Sequence, residues 1–251
     1  MSVSIVIPTF ARPALLRRLL DSILLQTHPA YEVIVVDDCS PQTDEYENLR
    51  KEYSGRFAQF SFLRNPGNRG APFSRNRGIR EARYELVALV DDDDEWLPQK
   101  LERQLRIFGQ EPERVGLVYT WTDVVERGER TPFYRSSIEG ACLRQLVSEC
   151  FIPSPSVMLR KNALLDAGLF DEQMPSCQDW DMWTRVVDRG YEVRVAREAL
   201  TLYHKQEGAS IGTSPRARTG YVMYYRKHLW KLVRLRQWRH LVRFARMAVQ
   251  G

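Results

Sequence analysis

Apolar and polar residues along this chain change period at intervals, and each change marks an element. Ser2 to Pro8 (SVSIVIP) is β-branched and almost wholly apolar, the pattern of a strand covered on both faces in a parallel sheet. Beyond a turn at Thr9 to Arg12, Pro13 stands where a first helical residue tolerates proline. Leu15, Leu16, Leu19, Leu20, Ile23 and Leu24 then recur at helical spacing. A second strand at Glu32 to Val36 ends in Asp37 and Asp38. Strand, helix and strand in this order predict a right-handed parallel crossover with ligands at the carboxyl ends of its strands. The pattern repeats with a helix at Thr43 to Tyr53, a short strand at Gln59 to Leu63, a glycine-rich loop at Arg64 to Ala71 and a helix at Pro72 to Arg83. A central strand from Leu86 then runs into Asp91, Asp92, Asp93 and Asp94.

The second half continues with a helix at Pro98 to Phe108 and a strand at Gly116 to Trp121. Thr122 to Ser154 reads as a variable lobe with a helix near Leu143 to Glu149. A strand at Ser156 to Arg160, helices at Asn162 to Ala167 and Gln178 to Arg189, and strands at Tyr191 to Ala196 and Ala199 to Tyr203 complete the globular part. The expected fold is α/β, with a mostly parallel central sheet in residues 1–207 and an amphipathic helical tail after a loop in residues 208–251. The globular part is expected to fall into two halves, residues 1–95 and residues 96–207.

Three strands end in polar features on one edge: Pro8-Thr9-Phe10, Asp37-Asp38 and the four aspartates. Adjacent carboxylates repel unless a metal or cationic side chains compensate them, and oxygen-only ligands favour Mg2+ or Mn2+ over zinc. In an extended chain Asp91 and Asp93 point one way and Asp92 the other. The competing reading is a solvated acidic turn whose Asp94 and Glu95 help to start the helix after Pro98. A second acidic group, CQDWDMWTRVV at Cys177 to Val187, places Asp179 and Asp181 in an opening helical turn. There they serve as caps favoured by the helix dipole, or Asp179 serves as a general base shielded by Trp180 and Trp183.

Charge alters the picture at one end only. The chain carries +5 overall, yet no Asp or Glu follows Glu207 and that tail holds ten Lys and Arg. Residues 1–207 therefore carry 27 basic and 32 acidic side chains, a net charge of −5. Four cysteines without metal-like spacing point to reduced thiols, and no apolar run approaches the roughly 20 residues of a membrane span. No export signal is visible at MSVSIVIPTF, so a cytoplasmic protein is expected.

The stretches SIVIPTFARPALLRRLLDSILLQT, VIVVDDCSP, NRGAPFSRNRGI, LVALVDDDDEWLPQKLERQ and QDWDMWTRV, in that order, resemble the inverting family 2 glycosyltransferases. The resemblance spans roughly Ser2 to Tyr203 and implies a Rossmann-like nucleotide-diphospho-sugar transferase domain, the A-type glycosyltransferase fold. It further implies a nucleotide-sugar donor, UDP-linked by preference, a carbohydrate or lipid-linked acceptor, and Mn2+ or Mg2+. By position, Pro8, Thr9, Phe10 and Arg12 match the loop that holds the nucleotide, and Asp38 the aspartate that reads the uracil edge. Asn68 and Arg75 fall where the nucleotide is closed over. Asp91, Asp92 and Asp93 match the D-x-D motif, with Asp93 the direct metal ligand, Asp91 and Asp92 near ribose and metal water, and Asp91 a further metal candidate. Asp179 falls at the catalytic base, with Gln178 and Trp180 beside the acceptor or donor sugar. Three departures stand out: Gln178 replaces a frequent Glu, Ala11 replaces a frequent Asn, and His204 shares with Gln206 the place of a histidine near the diphosphate.

The tail from Tyr221 to Val249 predicts two amphipathic helices bent near Arg236 and Gln237. Packing on the domain, peripheral contact with an anionic membrane at its inner face, and pairing with another subunit all suit it. The loop Gly208 to Thr219 is read as a lid over the diphosphate or a linker. A sugar-phosphate nucleotidyltransferase is the alternative enzyme, but it usually carries a glycine-rich triphosphate loop where this chain reads PTFARP. A non-catalytic, membrane-associated nucleotide-binding module is the alternative without chemistry. The acidic body argues against nucleic acid as a partner.

Overall fold

Strands that must be covered on both faces take the middle of the sheet. In the computed structural model, which describes residues 1–28, 31–205 and 215–249, β1 (Val3–Thr9) is buried at every position. It pairs in parallel with β2 (Tyr31–Asp37) and β4 (Leu86–Leu89), and β3 (Phe60–Arg64) pairs in parallel with β2. The pleat divides β1 between two cores. Val3, Ile5 and Ile7 meet α1 (Pro13–Leu24) and α2 (Thr43–Tyr53) through Leu16, Leu20, Ile23 and Tyr46, while Val6 faces α3 (Ala71–Glu81) through Ile79.

The sheet continues beyond β4 in a mixed sense. After β5 (Asp94–Trp96) and α4 (Lys100–Gln110), β6 (Val115–Glu126) returns through Arg127 and Gly128 as β7 (Glu129–Tyr134). Both turn residues have positive φ, 52° and 83°, as a tight hairpin turn of the primed type requires. This hairpin occupies part of the stretch expected to be a loop lobe. Next come α5 (Leu143–Leu146), β8 (Met158–Arg160), α6 (Lys161–Asp166) and α7 (Gln178–Asp188). The last strand, β9 (Glu192–His204), replaces the two expected strands by one, with register shifts against β6 around Trp121 that leave Arg197 and Glu198 outside the ladder. The strand order is β3-β2-β1-β4-β8-β6-β9-β5, with β7 on β6. The α/β fold holds, with parallel ladders joining β3 to β2, β2 to β1, β1 to β4 and β6 to β9, and antiparallel ladders elsewhere.

The tail forms α8 (Pro215–Lys227), α9 (Leu229–Arg234) and α10 (Trp238–Val249), turning at Arg236, where φ is 54°. The bend falls where expected, at Arg236 and Gln237, but a second break at His228 gives three helices in place of the expected two. A third core of Val147, Met174, Trp180, Tyr224, Tyr225 and Leu232 fastens these helices to α7. Among the described residues no helix is long and apolar enough to cross a membrane.

The closest approach of α3 to the sheet depends on Gly78, where an added Cβ would lie 2.4 Å from Cγ1 of Val6. Val6 is buried and β-branched, so it has little freedom to move aside. Gly78→Ala is therefore expected to destabilise the fold by about 1–3 kcal/mol despite the better helix propensity of alanine, as measured by urea unfolding.

Candidate active site

The four aspartates do not continue the strand. The Asp94 N–H donates to the Asp91 carbonyl at 3.2 Å, so Asp91 to Asp94 close a turn between β4 and β5, and the expected alternation of an extended chain is lost. Neither do Asp94 and Glu95 start a helix, since they open β5 against β9. Arginines from three places compensate the turn. Arg75 on α3 pairs with Asp91. Arg12, ahead of α1, spans Asp92 and Asp93 at 2.6 Å each, and Arg18 donates to the Asp93 carbonyl at 2.5 Å. Thr9 donates to Asp92 at 2.6 Å, so the Tyr46 hydroxyl, 2.8 Å away, donates to Thr9 while accepting the Arg12 N–H at 3.0 Å.

Burial still outweighs this compensation. It pushes Asp92 up to about 7, with Arg12 and the Thr9 hydrogen bond opposing and Asp93 and Asp91 reinforcing the rise. Burial and Asp91 raise Asp93, and burial with the three neighbouring carboxylates raises Asp94 far above the ordinary range. Asp94 Oδ1 is buried without a hydrogen-bond partner among the described residues. Among those residues no three His, Cys, Asp or Glu side chains gather as a self-contained metal cage. A hard divalent ion held by one or two carboxylates together with a ligand's phosphates needs no such cage. The partly exposed Asp93 within an all-oxygen turn suits that mode, and His204 less so, because its Nε2 lies 2.9 Å from Glu95.

Arg75 joins this turn to the start of α7. Its side chain is 7% exposed, and besides Asp91 it reaches Gln178 Oε1 at 3.4 Å and lies over the Phe170 ring. Asp179 follows directly, partly exposed, with Oδ1 accepting the Trp180 N–H at 2.8 Å. Burial raises its pKa; the Trp180 N–H and Arg75 oppose the shift, and Asp91 adds to it. The two acidic constellations are thus brought together through one arginine, 75 to 91 and 75 to 178.

Other expected positions are placed as follows. Pro8 is buried in β1, whereas Phe10 is 42% exposed at the strand end. Ala11 has a φ of 56°, a left-handed conformation that asparagine tolerates better than alanine, which gives the departure at this position a physical cost of about 1 kcal/mol. Asp38 is buried and accepts hydrogen bonds from Asn65, Arg69 N–H and Gly70 N–H at 2.7–3.1 Å, so its carboxylate shapes the loop ahead of α3. Asn68 is exposed on that loop. Trp180 is a correction. It is 4% exposed, its ring stacks on Tyr224 at 3.8 Å and its indole N–H donates to Leu146, so the tail leaves it no face for a sugar. Gln206 and the expected lid at 208–214 lie outside the described residues.

Several contributors escaped the sequence reading. Tyr46 is an ordinary apolar-face residue of α2 by spacing, and Asn65 one polar residue in a polar loop. Asn76 carried no marker either, yet it is buried and clamps Phe170 and Glu172 at 2.8–2.9 Å ahead of α7. Asp181, read as a helix cap, is fully buried and accepts from His228 at 2.8 Å, Arg185 at 2.8 Å and Lys227 at 3.0 Å, which ties α8 and α9 to α7.

The family model for glycosyl transferase family 2 matches residues 4–167, the span that carries the aspartate turn and its three arginines. The chain belongs to glycosyl transferase family 2. This glycosyltransferase is 30% identical to an Escherichia coli K12 protein described as "Putative colanic acid biosynthesis glycosyl transferase WcaA", over 90% of this chain and 81% of that protein. Among solved structures it is similar to S. aureus TarS 1–349 in complex with UDP-GlcNAc, with a TM-score of 0.74 and 20% identity over 91% of this chain and 67% of that one. It is also similar to the mannosyltransferase PcManGT from Pyrobaculum calidifontis in complex with GDP-Man and Mn2+, with a TM-score of 0.70 and 17% identity over 90% of this chain and 64% of that one. These likenesses show that the transferase has the A-type fold.

The Asp181 cluster gives this family 2 chain a defined acid response. The His228 hydrogen bond and the charges of Arg185 and Lys227 hold Asp181 down at about 2 against the opposing effect of burial, while burial holds His228 below its ordinary value. Both folded-state values are depressed, so both groups contribute stability at high pH. The His228 contribution fades as pH falls below about 6.5, and that of Asp181 fades from near 3.9 towards 2. Urea midpoints are expected to fall from pH 8 to pH 5.5 in the native chain, with less of that fall in His228→Gln.

Proposed function

We propose that this protein is a metal-dependent, inverting glycosyltransferase that moves a sugar from a nucleoside diphosphate donor, UDP-linked by preference, to a hydroxyl of a carbohydrate or lipid-linked acceptor. It works in the synthesis of a cell-surface polysaccharide, lipopolysaccharide or glycolipid, in the cytoplasm at the inner face of the membrane. The observation that carries the reading is the juxtaposition of the aspartate turn with the start of α7, where Asp179 lies, through Arg75. The UDP-GlcNAc bound by TarS, the GDP-Man and Mn2+ bound by PcManGT, and the description of the E. coli relative support it.

In this reading Pro8, Thr9, Phe10 and Arg12 hold the nucleotide at the end of β1, and Asp38 contacts the base while shaping the 65–70 loop from which Asn68 reaches the donor. Asp91 and Asp92 lie towards the ribose, Asp93 with Asp91 as a second candidate holds Mn2+ or Mg2+, and His204 reaches it only by leaving Glu95. When bound, the ion neutralises charge that develops on the departing diphosphate. Asp179 takes the proton from the acceptor hydroxyl as that oxygen forms its bond to the anomeric carbon, the bond to the diphosphate breaks, and the configuration inverts. Gln178, held by Arg75 and the Met174 carbonyl, borders the same space.

Asp179→Asn is expected to keep donor binding and lose transfer by at least about a hundredfold. Because burial raises Asp179 and a base must be ionised, the native rate should climb with pH through a value above the ordinary carboxylate range. Near-normal turnover in the variant would remove Asp179 from the role. In thermal shift measurements, UDP at one hundred times its dissociation constant should add about 2.7 kcal/mol with Mn2+ present. Asp93→Ala should abolish the metal-dependent part of that shift; an unchanged shift would contradict the assignment.

A further inference from the structure

The tail covers one side of itself and leaves the other bare. On α10, His240, Leu241, Phe244 and Met247 are partly buried, with the last three packed against the third core. At about 100° per residue, Trp238, Val242 and Ala245 form a separate line, and Arg239 and Arg243 a line beside it. These five are all exposed, Trp238 at 60% and Val242 at 52%. α9 repeats the arrangement on a smaller scale, with Trp230 at 75% exposed, Leu229 beside it, and Arg234 and Arg236 exposed around them. An apolar stripe running beside a basic one is the pattern of a helix lying in a membrane interface, where indoles and aliphatic groups enter the headgroup boundary and guanidinium groups meet phosphates.

Charge identifies the partner. Among the described residues, Arg226, Arg236, Arg239 and Arg243 form no ion pair, Arg243 lying exposed over the Tyr221 ring, while Lys227, Lys231 and Arg234 are spent on Asp171, Asp181 and Asp188. No acidic residue follows Glu207, and residues 1–207 carry −5. A negative surface therefore attracts the tail and repels the body, which orients the molecule tail-down. A second copy of this face would oppose arginine to arginine, and a nucleic acid would leave Trp238 and Val242 without an apolar partner.

We propose that the outer face of α9 and α10, formed by Trp230, Trp238 and Val242 with Arg236, Arg239 and Arg243, binds the surface of an anionic phospholipid bilayer. It rests on the reading above only in supposing that the acceptor is found at that surface. The Trp180–Tyr224 stack and the Asp181–His228 hydrogen bond fasten the tail to α7, the helix that opens with Asp179. Docking therefore fixes the acceptor side of the site relative to the membrane.

The test is flotation of the full-length chain with phosphatidylcholine vesicles prepared with and without phosphatidylglycerol, read together with tryptophan emission. Binding to the anionic vesicles alone, weakened by salt and accompanied by a blue shift, is expected. Trp230→Ser with Trp238→Ser should weaken it about tenfold or more and remove most of the blue shift. Arg236→Glu, Arg239→Glu and Arg243→Glu together should weaken it at least about a hundredfold. All variants should retain the native circular dichroism spectrum and the UDP thermal shift, since none of these residues lies at the site. Absence of binding to anionic vesicles, equal binding by the variants, or concentration-dependent self-association that the tryptophan variant abolishes would overturn the proposal. A retained UDP shift without vesicle binding would overturn this proposal alone, whereas vesicle binding without any nucleotide shift would count against the transferase reading.

Discussion

Holding four consecutive carboxylates at the mouth of a buried strand is the constraint on which the rest of this structure depends. β4 has no exposed face, so the aspartates that follow it cannot relax into solvent without pulling the strand end with them. Burial and mutual repulsion raise Asp92, Asp93 and Asp94 above their ordinary values, and guanidinium groups from separate elements oppose that rise at Asp92 and Asp93 and pair with Asp91. These guanidinium groups set the architecture. α1 must begin where Arg12 and Arg18 reach the turn, and α3 must lie close enough to the sheet for Arg75 to enter from the other side. Gly78 permits that approach. Compensation by long side chains is replaceable, unlike a cage of fixed ligands, and a turn of this kind can exchange one cation for another without rearranging its backbone.

Around the turn, backbone conformation is set by residues that are not themselves reactive. Asp37 anchors the Ser40 N–H and Arg64, Asp38 gathers the amides of Arg69 and Gly70, and the Ser40 hydroxyl accepts the N–H of the left-handed Ala11. Three loops at the ends of β1, β2 and β3 are thereby fixed relative to one another through side chain to backbone hydrogen bonds. Loops held in this way resemble a rigid surface more than a flexible edge, which favours preorganised binding.

The parts legible in sequence were those whose signal is local and periodic. β1 to β4 and the helices between them follow from unbroken β-branched runs and from 3.6-residue spacing. The two acidic groups announced themselves by composition and matched a family in five ordered stretches. What was not legible depended on partners distant in the chain. Asp94 to Trp96 are a strand only because β9 offers them a ladder, and the Arg127-Gly128 turn is a weak marker inside a polar stretch. Trp180 was placed beside the sugar by the resemblance alone, and Tyr224, which stacks on it, lies more than forty positions later. That Asp38 also gathers the amides of the next loop was not legible, because those partners lie some thirty positions further on.

That separation in sequence has a consequence for the order in which the molecule can be made. A chain emerging from the ribosome completes β9 at His204 before any residue of α8 is available. At that stage Asp181 has only Arg185 as a charged partner, and Trp180 has lost its stacking partner to a segment not yet synthesised. A carboxylate meant for the interior lacks two of its three partners until α8 and α9 arrive, although Met182, Trp183, Val186 and Val187 already hold α7 to the sheet. The contacts that cover the start of α7, where Asp179 lies, are thus the last the chain can make.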